Sequence, residues 1–212
     1  MSADICWYFD FVSPYSYLQH AVMSRHPELA QAEPKPVLLA GLLSHWESKG
    51  PAEIPPKRLH TYRQVVWLAN KHDVRLKLPA AHPFNPLPLL RLSIALGNSR
   101  DVVDALFRFV WLEGHLPTEA EPFAALCQRL GVDDPDAEIA RPEVKEGLRR
   151  NTEEAIGHGV FGVPTLRIGA STFWGFDMTE AAVACLRGDP VFESAAMKRA
   201  GALPEGIHRS VR

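Results

Sequence analysis

Ser13-Pro14-Tyr15-Ser16 sets two hydroxyls where an apolar stretch gives way to a helical one, at the spacing at which a redox protein would carry two thiols. Ser13 stands where an N-cap belongs, and Pro14 stands at N1 with its φ already helical. The hydroxyl can cap the helix by accepting an orphan backbone N–H. It can also turn outward and donate to an anion, because a helix N-terminus concentrates N–H dipoles and favours negative charge. The residues alone leave both readings open.

A second junction, Gly159-Val160-Phe161-Gly162-Val163-Pro164-Thr165, puts a proline at the start of a strand. Pro164 has no N–H to give a ladder, so it belongs at an edge or a special turn. For an X–Pro bond trans is the default. Cys6, Cys127 and Cys185 are odd in number, far apart and without a Cys-x-x-Cys pair. That excludes a disulfide framework and a zinc ribbon and suits the cytosol, and each reads as a small buried apolar residue. The nine histidines show no metal spacing, and His82 and His115 read as lone loop residues.

The elements around these junctions follow from periodicity. Residues 4 to 12 are almost continuously apolar, aromatic or β-branched, the pattern of a strand buried on both faces. A helix is expected over 14–26, and Val37-Leu38-Leu39-Ala40 reads as a second strand, completing a right-handed βαβ unit. Gly41, Gly50, Pro51, Pro55 and Pro56 mark a linker. Helical signals dominate from 57 to 158. Leu59, Tyr62, Val66 and Ala69 share one face, and residues 102–112 are apolar nearly all round and so belong at the centre. Thr118-x-x-Glu121 reads as a capping box. Strands return with Val163–Ile168 and Ser171–Trp174 about a Gly169-Ala170 turn, and Asp177-Met178-Thr179-Glu180 opens a last helix with a box-like cap.

At 212 residues, 46% hydrophobic and 23% charged, the chain can bury a sizeable core. A net charge of −2 carries no basic excess that would argue for nucleic acid. No apolar run approaches the roughly 20 residues that span a bilayer, so no membrane partner is expected. Met1-Ser2-Ala3-Asp4 offers no positive n-region or cleavage site, so no signal peptide is expected and the location reads as cytoplasmic.

In this order, Ser13-Pro14-Tyr15-Ser16, a helical insertion, Phe161-Gly162-Val163-Pro164-Thr165 and Trp174-Gly175-Phe176-Asp177 resemble the 2-hydroxychromene-2-carboxylate isomerase family. That family is related to kappa-class glutathione transferases and DsbA-type thioredoxin folds. The resemblance covers almost the whole chain. It implies an α/β protein, a thioredoxin-like domain over 1–42 and 160–212 with an all-helical domain inserted over 43–159. In such proteins a serine replaces the first redox cysteine, so the site holds another molecule's thiol. The implied cofactor is glutathione, its sulfur beside Ser13 as the catalytic residue. Pro164 is then a cis-proline that turns the Val163 backbone toward the cysteinyl main chain of glutathione. Lys57 would meet the glycine carboxylate, and Asp177 the γ-glutamyl ammonium. Tyr15 and Asn85 would lie near a small aromatic substrate, with Tyr62, Trp67, Phe84 and Trp111 as further candidates for its walls. Relatives are dimers, which implies a homodimer.

Each of these residues also has a plainer reading: Lys57 as a solvated helix-start lysine, Asp177 as an N-cap with Glu180, and Asn85 as an Asx-turn before Pro86. Two departures stand out. Ser48 and Phe176 occupy positions where relatives carry polar residues, so one polar contact to glutathione is expected to be missing. The implied reaction is glutathione-dependent cis–trans isomerisation of an aromatic 2-oxo acid. A kappa-class-like transferase or peroxidase acting on another electrophile, or a non-catalytic glutathione- or peptide-binding protein, are the alternatives.

Overall fold

Ile5–Phe9 forms the first strand, β1, and every one of its residues is buried. Strand geometry sends alternate side chains to opposite faces. Ile5, Trp7 and Phe9 join the larger core cluster, and Cys6 and Tyr8 join a smaller one on the other face. A computed structural model describes residues 4–206 and sets β1 in a four-stranded sheet with β2 (Glu33–Pro36), β3 (Thr165–Ile168) and β4 (Ser171–Trp174). The order is β2-β1-β3-β4, with β1 and β2 parallel and the other pairs antiparallel.

The second strand lies earlier than Val37–Ala40. An apolar run of four cannot be told from the start of a buried helix by its pattern, and Leu39 opens a helix here. Glu33–Pro36 pairs instead, despite two prolines, because it is an edge strand. Val37 N bonds Phe9 O at 2.9 Å. By alternation Pro34 and Pro36 turn their missing donors away from β1.

In chain order the helices are α1 (Pro14–Met23), α2 (Leu39–His45), α3 (Pro55–Lys71), α4 (Leu87–Ala95), α5 (Arg100–Trp111), α6 (Ala120–Arg129), α7 (Pro135–Ala140), α8 (Pro142–Gly157), α9 (Thr179–Leu186) and α10 (Ala195–Gly201). α2 occupies what reads as linker, and α10 follows the helix expected to be last. As its composition demands, α5 is central: Val103, Leu106, Phe107, Phe109, Val110 and Trp111 are all buried. Phe107 packs on Phe9 and Phe11, with ring centroids at 5.5 and 4.7 Å.

Two helix-level expectations fail for a local reason. α3 buries Thr61, Val65 and Ala69 and leaves Leu59 and Val66 exposed. Its inner face meets a tyrosine hydroxyl on α1, so it is partly polar and escapes a hydrophobicity count. The Thr118 capping box does not form, because α6 starts at Ala120 and the Glu119 carboxylate accepts from Leu116 N at 2.8 Å.

Candidate active site

Ser13 is the N-cap of α1, with extended backbone (φ −87°, ψ 114°) and Pro14 at N1. Its Oγ accepts from Ser16 N at 3.2 Å. A hydroxyl carries two lone pairs and one proton, so capping uses an acceptor and leaves the O–H to donate. Among the described residues nothing takes that proton. Ser13 is only 6% exposed, and its donor sits in the field of the helix N-terminus.

The three residues before Ser13 are held from several directions. Asp10 is fully buried; its Oδ1 accepts from Val12 N at 3.0 Å and its Oδ2 from Leu39 N at 2.9 Å. Burial pushes this carboxyl up to about 7, against backbone N–H donors that pull it down. Asp10 O accepts from Ser13 N at 3.0 Å. Trp111 Nε1 donates to Phe11 O at 2.8 Å, and His82 Nε2 lies 2.7 Å from Val12 O. The other nitrogen of His82, Nδ1, lies 2.8 Å from the Tyr62 hydroxyl, which also reaches His82 O at 3.0 Å. His82 is therefore no lone loop histidine. It is half-buried beside Tyr62, Phe84 and Trp111, and desolvation lowers its pKa below the ordinary value.

The second junction lies alongside. Tyr8 pairs with Thr165 in the antiparallel β1–β3 ladder, so continuing the register sets Pro164 by Phe9 and Val163 by Asp10. The Val163–Pro164 peptide is cis, as is His82–Pro83. Thr165 Oγ1 donates to Gly162 O at 2.7 Å, Gly175 N to Pro164 O at 2.8 Å, and Trp46 Nε1 to Val160 O at 3.0 Å. Neither the N–H nor the C=O of Val163 has a hydrogen-bond partner among the described residues. An extended segment laid beside Val163 would find both groups free. The approach to this loop is anchored too: Tyr8 Oη lies 3.0 Å from both Glu154 Oε1 and His158 Nδ1 at the end of α8.

Around this centre, Tyr15 donates from its hydroxyl to Gln64 Oε1 on α3 at 2.7 Å. Burial above all, and then the negative charge of Asp177, hold its phenol above the ordinary range. Asp177 lies in a 3-10 turn, Phe176–Met178, and caps nothing: the N-cap of α9 is Met178, with no side-chain bond. Gly175 makes room for the carboxylate, with φ +98° and Asp177 Oδ1 2.5 Å from where a Cβ would stand. Phe176 turns inward and meets His72 edge-on at 5.0 Å.

Lys57 is in the first turn of α3, four residues before Thr61 and so on the same helical face, and is exposed. Asn85 Oδ1 accepts from Leu87 N at 3.1 Å, an Asx-type turn ahead of α4. Trp67 is exposed with Lys71 above its ring, and Trp111 is core. Ser13 and Tyr15 thus open α1, the charge of Asp177 reaches the Tyr15 phenol, and by register Val163 and Pro164 lie beside Asp10 and Phe9, just ahead of that helix. Residue patterns alone passed over Asp10, His82, Gln64 and Thr61. An acid inside the apolar run Phe9-Asp10-Phe11-Val12 is the one signal that could have flagged the first.

Cys6 and Cys127 are buried and Cys185 half-buried; burial raises all three thiols above their ordinary pKa. None lies at the start of α1. Among the described residues no group of three or more His, Cys, Asp or Glu is placed to hold a metal, and no helix is long and apolar enough to cross a membrane.

A family model described as DSBA-like thioredoxin domain matches residues 4–186. A glutathione S-transferase kappa 2 from Caenorhabditis elegans is 28% identical over 178 residues, 76% of this chain and 79% of that protein. A 2-hydroxychromene-2-carboxylate isomerase from Sphingobium xenophagum is 27% identical over 187 residues, 84% and 94% of the two chains. The solved structure of a 2-hydroxychromene-2-carboxylate isomerase superimposes with a TM-score of 0.72 at 26% identity, covering 90% of this chain and 99% of its own. The fold is thus thioredoxin-like, with the run of helices from α2 to α8 set between its two pairs of strands.

Proposed function

The chain belongs to the DSBA-like thioredoxin domain family, and on that premise we propose that it is a glutathione-dependent cis–trans isomerase of an aromatic 2-oxo acid. One observation carries the reading. Ser13 caps α1 through its oxygen, keeps its proton to donate, and has no protein thiol beside it. A site of this family without its own sulfur is suited to another molecule's. A free thiol has a pKa near 8.5 and is only a few per cent thiolate at pH 7. A hydroxyl donor and a helix N-terminus both favour the anion and lower that pKa.

In this reading glutathione lies extended beside Val163, whose backbone groups have no partner among the described residues, with Pro164 next to it. Lys57 meets its glycine carboxylate and Asp177 its γ-glutamyl ammonium. The thiolate adds to the conjugated alkene of the substrate, and the electron pair moves to the 2-oxo oxygen as an enolate. The former double bond rotates, and the enolate then collapses and expels the thiolate. Nothing is oxidised and glutathione is regenerated. Tyr15 and Asn85 border the aromatic substrate. The enzyme works in the cytoplasm, where thiols are kept reduced, and as a homodimer. The test is ultraviolet monitoring of a hydroxychromene carboxylate with and without glutathione. Interconversion that requires glutathione supports the reading, and a flat trace with both present overturns it. The kappa-class relative favours a second reading, a transferase. Loss of free thiol in step with substrate would distinguish it, since an isomerase consumes none.

A further inference from the structure

Val12 O and Ser13 N belong to one peptide group, so whatever holds Val12 O orients the start of α1. Its partner comes from 70 residues away: His82 Nε2, at 2.7 Å. A carbonyl oxygen can only accept, so Nε2 carries a proton and Nδ1 is the nitrogen free to change state. Tyr62 supplies what Nδ1 needs in either state. When Nδ1 is bare, the Tyr62 hydroxyl donates to it at 2.8 Å. When Nδ1 is protonated it donates to the Tyr62 oxygen, and the Tyr62 proton turns to His82 O at 3.0 Å. The Nε2–Val12 bond survives both arrangements.

We infer that His82, steadied by Tyr62, is a positioning residue that fixes the Val12–Ser13 peptide and through it the direction of the Ser13 hydroxyl. The inference rests on the reading that Ser13 holds a glutathione thiolate. His82 bonds Tyr62 and the Val12 carbonyl, so its effect on the thiol passes through the Ser13 peptide. Trp111 does the corresponding work one residue earlier, at Phe11 O. Several elements pack around the imidazole. α3 brings Tyr62, whose phenol feels the Arg58 charge; α5 brings the uncharged Trp111; the loop brings Phe84; β1 is followed by the buried Asp10, two residues before Val12.

Two measurements test it, one without glutathione. A protonated imidazole is a stronger donor than a neutral one, so the Ser13 amide nitrogen resonance should shift along the same pH curve as the His82 ring, with its midpoint below about 6.5. In Tyr62→Phe that midpoint should fall further, because the charged ring loses its acceptor. A Ser13 signal that stays flat while His82 titrates overturns the inference. The second measurement is the thiolate absorbance of bound glutathione at pH 7. His82→Leu keeps bulk and removes the donor, and should lower the thiolate fraction about tenfold. His82→Gln keeps an N–H for Val12 O and an acceptor for Tyr62, and should stay within about twofold of the parent. Equal absorbance in parent and His82→Leu overturns the inference. Should His82→Leu fail to fold, His82→Gln and the amide titration decide it. A parent protein that binds no glutathione sinks the functional reading, and the amide titration still decides this one.

Discussion

At the scale of single residues, Ser13 and Asp177 part company with the plain cap that each resembles in sequence. Ser13 does cap, so Ser13→Ala should cost about 1 kcal/mol of stability. It should also raise the pKa of bound glutathione, read as lost thiolate absorbance at pH 7. Unchanged absorbance would strip Ser13 of any role beyond the cap. Among the described residues Asp177 bonds no backbone N–H, so Asp177→Asn should leave the melting temperature nearly where it was. A charge-assisted hydrogen bond is worth roughly 1.5–3 kcal/mol. Glutathione affinity should therefore fall about tenfold or more by calorimetry, while a thiol without the amino group binds parent and variant alike. Equal glutathione affinity would remove Asp177 from the ligand site. Ser13 was legible because its capping partner lies three residues away. The freedom of Asp177 was not, because a 3-10 turn displaces the N-cap by one residue, to Met178.

At the scale of elements, the loop from α8 to β3 is shaped by contact with β4. A Cβ on Gly162 would stand 2.6 Å from Trp174 Nε1, and Trp174 also lies against Phe161 at 4.9 Å between ring centroids. Gly162→Ala must push the indole aside or move the loop. Because Trp174 is half exposed, the indole can give, and the stability cost should sit at the low end of the 1–3 kcal/mol typical of overpacking. Glutathione affinity should drop by more than that cost suggests if Val163 moves with its neighbour. In Gly162→Ala/Trp174→Ala the two effects should be less than additive. Strict additivity, measured by denaturant melts, would show that the clash is not what matters.

At the scale of the whole molecule, a buried acid at the join between β1 and α1 ties folding to pH. The Asp10 carboxyl is at about 7 in the folded protein against 3.8 when free. Between those values the folded state holds a proton that the unfolded chain has released. Asp10 therefore contributes stability that is fully present below about pH 4 and lost as pH rises through about 7. Denaturant unfolding of parent and Asp10→Asn across this range should show the parent losing stability relative to the variant as pH rises. A constant difference between the two would mean that Asp10 is ionised in the folded protein throughout.

Features that depend on near neighbours are legible along the chain. The all-apolar run of β1, the Ser-Pro helix start, the β3–β4 hairpin about Gly169 and the central α5 each follow from periodicity or turn chemistry over a few residues. Short apolar runs were the exception: Val37–Ala40 carries no period that separates strand from helix, and only the vacant edge of β1 decided that Glu33–Pro36 would pair. The tertiary structure alone decided what surrounds Ser13. His82 and Trp111 reach the peptides on either side of Val12 from 70 and 100 residues away, and their partners are backbone carbonyls, which every residue has. A contact made to the backbone leaves no mark on the residue type at its far end, so no reading along the chain could have paired them.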